Sequence, residues 1–307
     1  MVHSFLKISK ELFVFTKKPV DEPKSNNSFA QNFKTLILLL IISFVLVFFA
    51  TILFLVINTY LFDFLSQGKF DEVFANISLT SILFLVSIIA PVVEEIIFRL
   101  ALRYKHNYIF RGVDFIFKTK KVSFFWTKNY RLFYYTSIIA FGLIHLTNYH
   151  INSYWFLIFA PFIILPQLII GVILSFIRMK SGFIWAILLH SLYNGILTLG
   201  MILFFNKSII TDYTSDSYKL KIEQLTYGLD KETYSSSKEK NDSIYYFDIR
   251  NNSLRNVLYQ LKEDTRNYKN LNTRLNILLE KDTSKIHKKV IIKELQKHFS
   301  IDKKFVQ

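Results

Sequence analysis

Long apolar runs between Thr35 and Phe205 constrain this chain more than any other feature. The first run, Thr35 to Phe62, holds about 28 residues without a charge, and about 20 apolar residues are enough for a helix to cross a bilayer. Because only helices and closed barrels satisfy their backbone polar groups in lipid, the sequence predicts an all-α, polytopic transmembrane bundle of about five spans or more. The other predicted spans are Leu79 to Tyr104, Leu132 to Tyr149, Tyr154 to Ile177 and Phe183 to Phe205.

The flanking sequence is polar and predicts separate regions. The N-terminal segment is basic with a short apolar cluster, a pattern compatible with a helix lying on the membrane surface. The C-terminal extension has strand-like and amphipathic helical stretches, so we expect it to be mixed or partly disordered. The predicted division is 1–34, 35–205 and 206–307.

The charge balance bears on location and partners. The net charge is +15, and basic residues cluster in the N-terminus, in His106 to Arg131 and in Arg178 to Gly182. The positive-inside rule places these segments in the cytoplasm. We therefore expect a multi-pass integral protein of a plasma or inner membrane, with a cytoplasmic N-terminus and the lipid bilayer as its surroundings. No nucleic-acid partner is expected, because no recognised motif accompanies the charge.

Composition also limits the chemistry. The chain contains no cysteine. Disulfide partners, thiolate metal ligands and cysteine nucleophiles are therefore excluded.

The second predicted span carries three charges where lipid is expected. Each of Glu94, Glu95 and Arg99 costs roughly 2.5–3.5 kcal/mol at the centre of a bilayer on insertion scales. Glu95 and Arg99 are four residues apart and can pair on a helix, whereas Glu94 lies about 100° round the helix from Glu95. The sequence predicts that Glu94 faces a polar cavity and that the Glu95–Arg99 pair supports it.

Two further polar pairs lie on later spans. Phe141 and His145 are four residues apart, as are His190 and Asn194, so each pair shares one face of its helix. Taken singly, an intramembrane His or Asn is usually a hydrogen-bond partner between helices, and Glu95–Arg99 alone is a structural ion pair. The combination is less expected by chance than any member.

Hydrolysis of a peptide bond within a bilayer needs such a set of groups. A desolvated Glu is suited to act as a general base near neutral pH, and a neighbouring His can hold the water. A second His and an Asn amide can stabilise the oxyanion, where one donor is worth about 10²–10³ in rate. An alternative is a zinc site of Glu94, His145 and His190 with an open fourth position, although the chain has no HExxH motif.

These residues resemble the motifs of the CAAX-protease and bacteriocin-processing (Abi) family of intramembrane proteases. The resemblance implies a membrane peptidase in which the first Glu and the first His activate water, and the second His and the Asn form the oxyanion site. It assigns supporting roles to Glu95, Arg99 and Phe141, a membrane-associated peptide or protein as substrate, and zinc as a cofactor by resemblance only. The matching motifs are EExxxR (Glu94, Glu95, Arg99), FxxxH (Phe141, His145) and HxxxN (His190, Asn194).

Two other functional classes are compatible with the sequence. One is a non-catalytic membrane scaffold or immunity-type protein with the same fold. The other is an ion or proton-coupled transporter, since intramembrane Glu and His also mark such pathways. The peptidase hypothesis requires Glu94 and His145 to meet, through a helix tilt, a kink at Pro91 or a third span that begins near Ser123.

Overall fold

The structure, a computed structural model, describes residues 2–21, 27–57, 77–149, 154–205, 207–215, 218–225, 233–240, 243–281 and 286–300. By its internal contacts the chain divides into two compact units. One is Met1–Gly68 with Phe84–Thr198, and the other is Lys69–Leu83 with Leu199–Gln307. The three-region division expected from the sequence stays a prediction.

Up to residue 205, the regular elements in the described ranges are helical. A π-helical turn lies at Leu85–Ile89, and short 3-10 turns lie at Leu100–Leu102, Tyr104–His106 and His145–Asn148. The α-helices are α1 (Val2–Lys17), α2 (Phe29–Ile57), α3 (Leu79–Phe84), α4 (Ala90–Phe98), α5 (Tyr108–Ile116), α6 (Lys121–Lys128), α7 (Tyr130–Ile144), α8 (Tyr154–Ile163), α9 (Leu165–Lys180) and α10 (Phe183–Phe205).

Four helical segments within the described ranges are long and apolar enough to cross a membrane: Phe29–Val56, Leu79–Leu102, Phe156–Lys180 and Phe183–Phe204. The predicted helical membrane bundle is therefore confirmed. The expected span at Leu132 to Tyr149 is not among the four. Its sequence forms α7, a 15-residue helix of about 22 Å, which is shorter than the hydrocarbon core of a typical bilayer.

Helix α9 is the centre of the first unit. From Ile173 to Met179 every residue is buried, as expected for a helix that has neighbours on all sides. It packs against α2 and α7 and also contacts α1. The buried core side chains come from α9 and four other helices, and include Leu39 of α2, Phe141 of α7 and Leu189 of α10.

The N-terminal segment is packed into this unit. Ile8 and Leu12 of α1 are buried in the core, because α1 is amphipathic and turns its apolar side towards α2 and α9. Beyond α1, the Asp21 carboxylate accepts hydrogen bonds from the Tyr104 N–H at 2.7 Å and from the Trp126 indole at 3.0 Å. The chain before the first span therefore holds the end of the helix that carries the acidic motif.

A second carboxylate organises the loop that follows. Desolvation alone would raise the pKa of Asp114, but hydrogen bonds from the Tyr104 hydroxyl at 2.5 Å and from the backbone N–H groups of Val122 and Ser123 lower this pKa below its usual range. Desolvation and the same Asp114 contact raise the pKa of Tyr104 to about 12. Both shifts favour an ionised Asp114 that accepts a hydrogen bond from the neutral Tyr104 hydroxyl.

The second unit contains an antiparallel sheet in the order β1-β2-β5-β4-β3, with β6 paired to β4. Alternate residues of β2 such as Leu220 and Ile222 are buried, and α11 and α12 add Leu258 and Leu295 to the same core. The predicted mixed character of the extension is confirmed. The elements are β1 (Lys207–Thr214), β2 (Tyr218–Leu225), β3 (Tyr234–Lys240), β4 (Ser243–Ser253), α11 (Leu254–Leu261), β5 (Arg274–Lys281), β6 (Ile286–His287) and α12 (Lys289–Phe299).

Candidate active site

Glu95 lies at the centre of the polar cluster. Its Oε1 atom is 3.4 Å from Arg99 Nη1 and accepts a hydrogen bond from His190 Nδ1 at 3.0 Å. The Glu95 and Arg99 side chains are fully buried, and that of His190 is 3% exposed. The predicted Glu95–Arg99 pair is confirmed, and one carboxylate oxygen links the charged helix α4 to the imidazole on α10.

The Arg99 guanidinium has an aromatic partner as well as a carboxylate. Its Cζ lies 3.8 Å from the centroid of the Phe141 ring, a distance at which the ring face attracts the cation. A Cβ atom on Gly171 would lie 3.3 Å from Phe141 Cδ1 and 3.4 Å from Arg99 Nη2. Gly171 therefore leaves the space that brings α9 against the cation, and the motif phenylalanine contacts the motif arginine directly.

Glu94 lies on the other side of the same imidazole. Its Oε2 atom is 3.5 Å from His190 Nε2, and its side chain is 23% exposed. Within the described part of the chain, this buried oxygen has no hydrogen-bond partner. His190 therefore has a carboxylate near each ring nitrogen, and Glu94 keeps a lone pair for another group.

His145 follows the last turn of α7. Its Nδ1 atom is 2.7 Å from the Phe141 carbonyl oxygen. Because a carbonyl only accepts, Nδ1 carries the proton and Nε2 is the free atom of the neutral ring. The Phe141 ring contacts both imidazoles, with its centroid 4.8 Å from that of His145 and 5.9 Å from that of His190.

Helix α7 packs against α4, the helix that carries the acidic motif. Phe98 and Phe141 have their ring centroids 5.5 Å apart, and the Ser137 hydroxyl donates to the Phe98 carbonyl at 2.5 Å. These contacts bring Phe141, and with it the motif of α7, against the acidic helix. Helix α7 begins at Tyr130, after a separate helix α6, so a span starting near Ser123 is not what brings the motifs together.

The Asn194 side chain bonds to a backbone carbonyl that lacks an N–H donor because residue 91 is a proline. In the π-helical turn the Ala90 N–H bonds to Leu85, and the next donor along would be residue 91, a proline without an N–H. The Val86 carbonyl instead accepts from Asn194 Nδ2 at 3.2 Å. The helix irregularity expected at Pro91 is thus a π-turn, and one Asn194 N–H serves to hold it.

Arg178 also supports the site and was not predicted. It is 2% exposed, and its guanidinium donates to the Arg99 and Leu100 carbonyls at 3.2 and 3.4 Å. These carbonyls follow α4, and the Arg99 carbonyl also accepts from the Leu102 N–H at 3.2 Å. In the sequence Arg178 is one of several basic residues near the 178–182 turn, so only its position in the bundle distinguishes it.

The residues do not fit the predicted metal site. Among the described residues, no group of three or more His, Asp or Glu side chains is arranged to hold a metal ion. Of the predicted ligands, Glu94 and His190 come within 3.5 Å of each other, and the Nδ1 contact of His145 with a carbonyl is equally compatible with a metal ligand. The Glu94, His145 and His190 zinc alternative is therefore not supported, and no chemical step is derived through a metal.

The order of these groups along the chain, an acidic helix, then FxxxH, then HxxxN around one cluster, matches a known family. Residues 76–196 match the model of the Rce1-like Type II CAAX prenyl endopeptidases. The resemblance recognised from the motifs is thereby confirmed over these residues, and the Rce1-like match contains every residue of the cluster. No curated protein and no solved structure matches the chain significantly.

Proposed function

We propose that this chain is an intramembrane endopeptidase that cleaves a membrane-associated peptide or protein with a water molecule activated by Glu94 and His145. The observation that carries the proposal is the buried Oε2 of Glu94, which lies 3.5 Å from His190 and lacks a hydrogen-bond partner among the described residues. A carboxylate in that position can accept a proton from water. The Rce1-like match over 76–196 supports the same reaction class.

Glu94 is the proposed general base. It takes a proton from water while the oxygen of that water attacks the carbonyl carbon of the scissile bond, and it returns the proton to the amide nitrogen as the C–N bond breaks. His145 is fixed with Nδ1 towards the Phe141 carbonyl, so its free Nε2 is the atom that can hold the attacking water. The hydroxyl of the water ends in the new carboxyl group and its proton on the new amine, so the reaction needs no other reactant.

His190 is the proposed oxyanion donor. Glu95 accepts from Nδ1, and this contact fixes the ring orientation. The Nε2 atom of the ring lies on the Glu94 side, where the proposal places the substrate carbonyl, and the oxyanion role requires a proton on this nitrogen. The Asn194 amide has a second N–H besides the one that donates to the Val86 carbonyl. We propose this second N–H as the other oxyanion donor.

Glu95, Arg99 and Phe141 are proposed as positioning residues. Arg99 lies between the carboxylate of Glu95 and the Phe141 ring, so it holds both motif helices against α9. In this proposal, Glu95 acts through His190, and Phe141 acts through Arg99 and the two imidazoles.

The experiment that tests the proposal is cleavage by purified Glu94→Gln protein. The substrates are membrane-anchored peptides with and without a C-terminal prenylated cysteine, because the matched family acts on prenylated CAAX proteins by its description. Loss of a general base lowers the rate by about 10²–10⁴, so cleavage should fall at least 100-fold.

The matched control is Glu294→Gln, the same change on α12 in the second unit. It should cleave at the wild-type rate. Unchanged cleavage by Glu94→Gln refutes the base assignment. If the wild-type protein cleaves no substrate and its cellular phenotype survives Glu94→Gln, the protein is instead a scaffold. If it conducts ions in liposomes and Glu94→Gln abolishes that flux, the protein is a transporter.

A further inference from the structure

A polar cavity away from the candidate active site lies beside the N-terminal helix. Its volume is about 380 Å³. Residues from α1, from the start of α2 and from the end of α9 line it. Those that matter for its chemistry are Lys7, Glu11, Gln31, Lys34, Thr35 and Lys180.

The cavity carries an excess of positive charge. Lys180 Nζ is 2.6 Å from Glu11 Oε2, so these two side chains neutralise each other. Lys7 and Lys34 are exposed and have no ion-pair partner in the portion of the chain that the structure describes. Gln31 uses its Oε1 to accept from the Ser28 N–H at 2.9 Å, which leaves its NH₂ group as a donor. The cavity therefore presents two ammonium groups and an amide donor to an anion.

The position of the cavity indicates where that anion comes from. The candidate span Phe29–Val56 begins here, and the candidate span Phe156–Lys180 ends here. Lys34 lies within the first turns of one span and Lys180 is the last residue of the other, so the cavity is at the depth where spans leave the hydrocarbon. Lipid phosphates lie at that depth, and basic pockets beside transmembrane helices bind anionic headgroups.

We propose that this cavity binds the phosphate headgroup of an anionic phospholipid, with Lys7 and Lys34 as its cationic contacts. The buried base of the cavity includes Ile8, Thr35 and Leu38, which shields the phosphate from part of the solvent. Because the lining joins α1 to α2 and α9, a bound lipid fastens the N-terminal helix to the bundle. The proposal does not depend on the peptidase activity.

The test measures binding of dioctanoyl phosphatidylglycerol to the full-length protein in detergent, by native mass spectrometry. Each Lys near a membrane surface contributes about 5-fold in affinity for an anionic lipid. Removing two of them should therefore weaken binding about 30-fold. We expect Lys7→Gln/Lys34→Gln to show that loss and Lys7→Gln alone to show about a 5-fold loss. The charge-matched control is Lys10→Gln/Lys128→Gln, outside the cavity, and it should bind as the wild type does.

Two comparison ligands separate the sources of the anion. Dioctanoyl phosphatidylcholine has no net charge and should bind much more weakly, and inorganic phosphate should not compete at the same concentration. Equal binding by the Lys7→Gln/Lys34→Gln protein, or equal binding of phosphatidylcholine, overturns the proposal. Competition by inorganic phosphate overturns the lipid assignment in favour of a soluble anion. The conservative pair Lys7→Arg/Lys34→Arg keeps both charges and should retain binding, which separates a lost contact from a misfolded variant.

Discussion

The two neighbouring glutamates should respond very differently to the same isosteric change. Glu95→Gln keeps an acceptor for His190 but removes the charge that faces Arg99. Arg99 is fully buried, and the structure gives its three guanidinium nitrogens no hydrogen bond among the described residues. Removing one partner of a buried ion pair costs about 3–5 kcal/mol. The Phe141 contact persists in both proteins and so does not offset the loss.

Glu94→Gln is the matched comparison, one residue earlier on the same helix. Its carboxylate has no Lys or Arg within salt-bridge distance among the described residues, so we expect a change of about 1 kcal/mol or less. Unfolding in mixed micelles by titration with SDS gives both free energies. The double variant Glu95→Gln/Arg99→Met removes the unpaired charge and should recover about 2 kcal/mol or more relative to Glu95→Gln. Equal losses for the two glutamates, or no recovery in the double variant, would refute the reasoning.

Three further predictions concern packing and protonation. Gly171→Ala places a Cβ against buried side chains, which should lower the free energy of unfolding by about 1–3 kcal/mol. At Gly200 the added Cβ of Gly200→Ala meets nothing within 4 Å, so that variant should be neutral or more stable by up to about 1 kcal/mol. Thermal unfolding of both proteins tests the difference. Asn194→Ala leaves the Val86 carbonyl without its donor and should lower the free energy of unfolding by about 1–3 kcal/mol, in addition to any loss of cleavage. Since the pKa of Asp114 is lowered in the fold, its carboxylate stabilises the loop at neutral pH. Hydrogen-exchange protection of residues 104–123 should therefore fall progressively as the pH drops from the ordinary pKa of an Asp through that lowered pKa.

Each of these has an outcome that would contradict it. Equal unfolding temperatures for the two glycine variants would mean that α9 does not need the space at Gly171. An Asn194→Ala protein as stable as the wild type would show that the π-turn holds without this donor. If Asp114→Asn leaves the pH dependence of protection in the loop unchanged, another group is responsible.

The sequence predicted the helical bundle and the pairing within each motif because both depend on local periodicity. A spacing of four residues places Glu95 beside Arg99, and Phe141 beside His145, whatever the arrangement of the helices. The apolar runs likewise placed four of the expected spans. The mixture of strands and helices in the C-terminal extension was visible for the same reason, since alternation and amphipathic spacing are local signals.

Contacts between distant segments could not be predicted in this way. The bond from Asn194 to Val86 depends on a π-turn that forms once Pro91 has removed a donor. Arg178 looks like any basic residue near a turn until the fold places it against the carbonyls that follow α4. The docking of α1 on α2 and α9 depends on which apolar side of an amphipathic helix finds a partner, and a single sequence does not contain that information.

The slot around Arg99 also limits how this protein can change over time. The Arg99 cation has a charge partner in Glu95, an aromatic face in Phe141 and close packing at Gly171, and a replacement at any of these positions changes one of them. Compensating substitutions would also have to keep the imidazole of His190 in place. The adjacent residues Ile96 and Ile97, 47% and 59% exposed, face outward and can drift among apolar types, so one helix carries a fixed side and a free one.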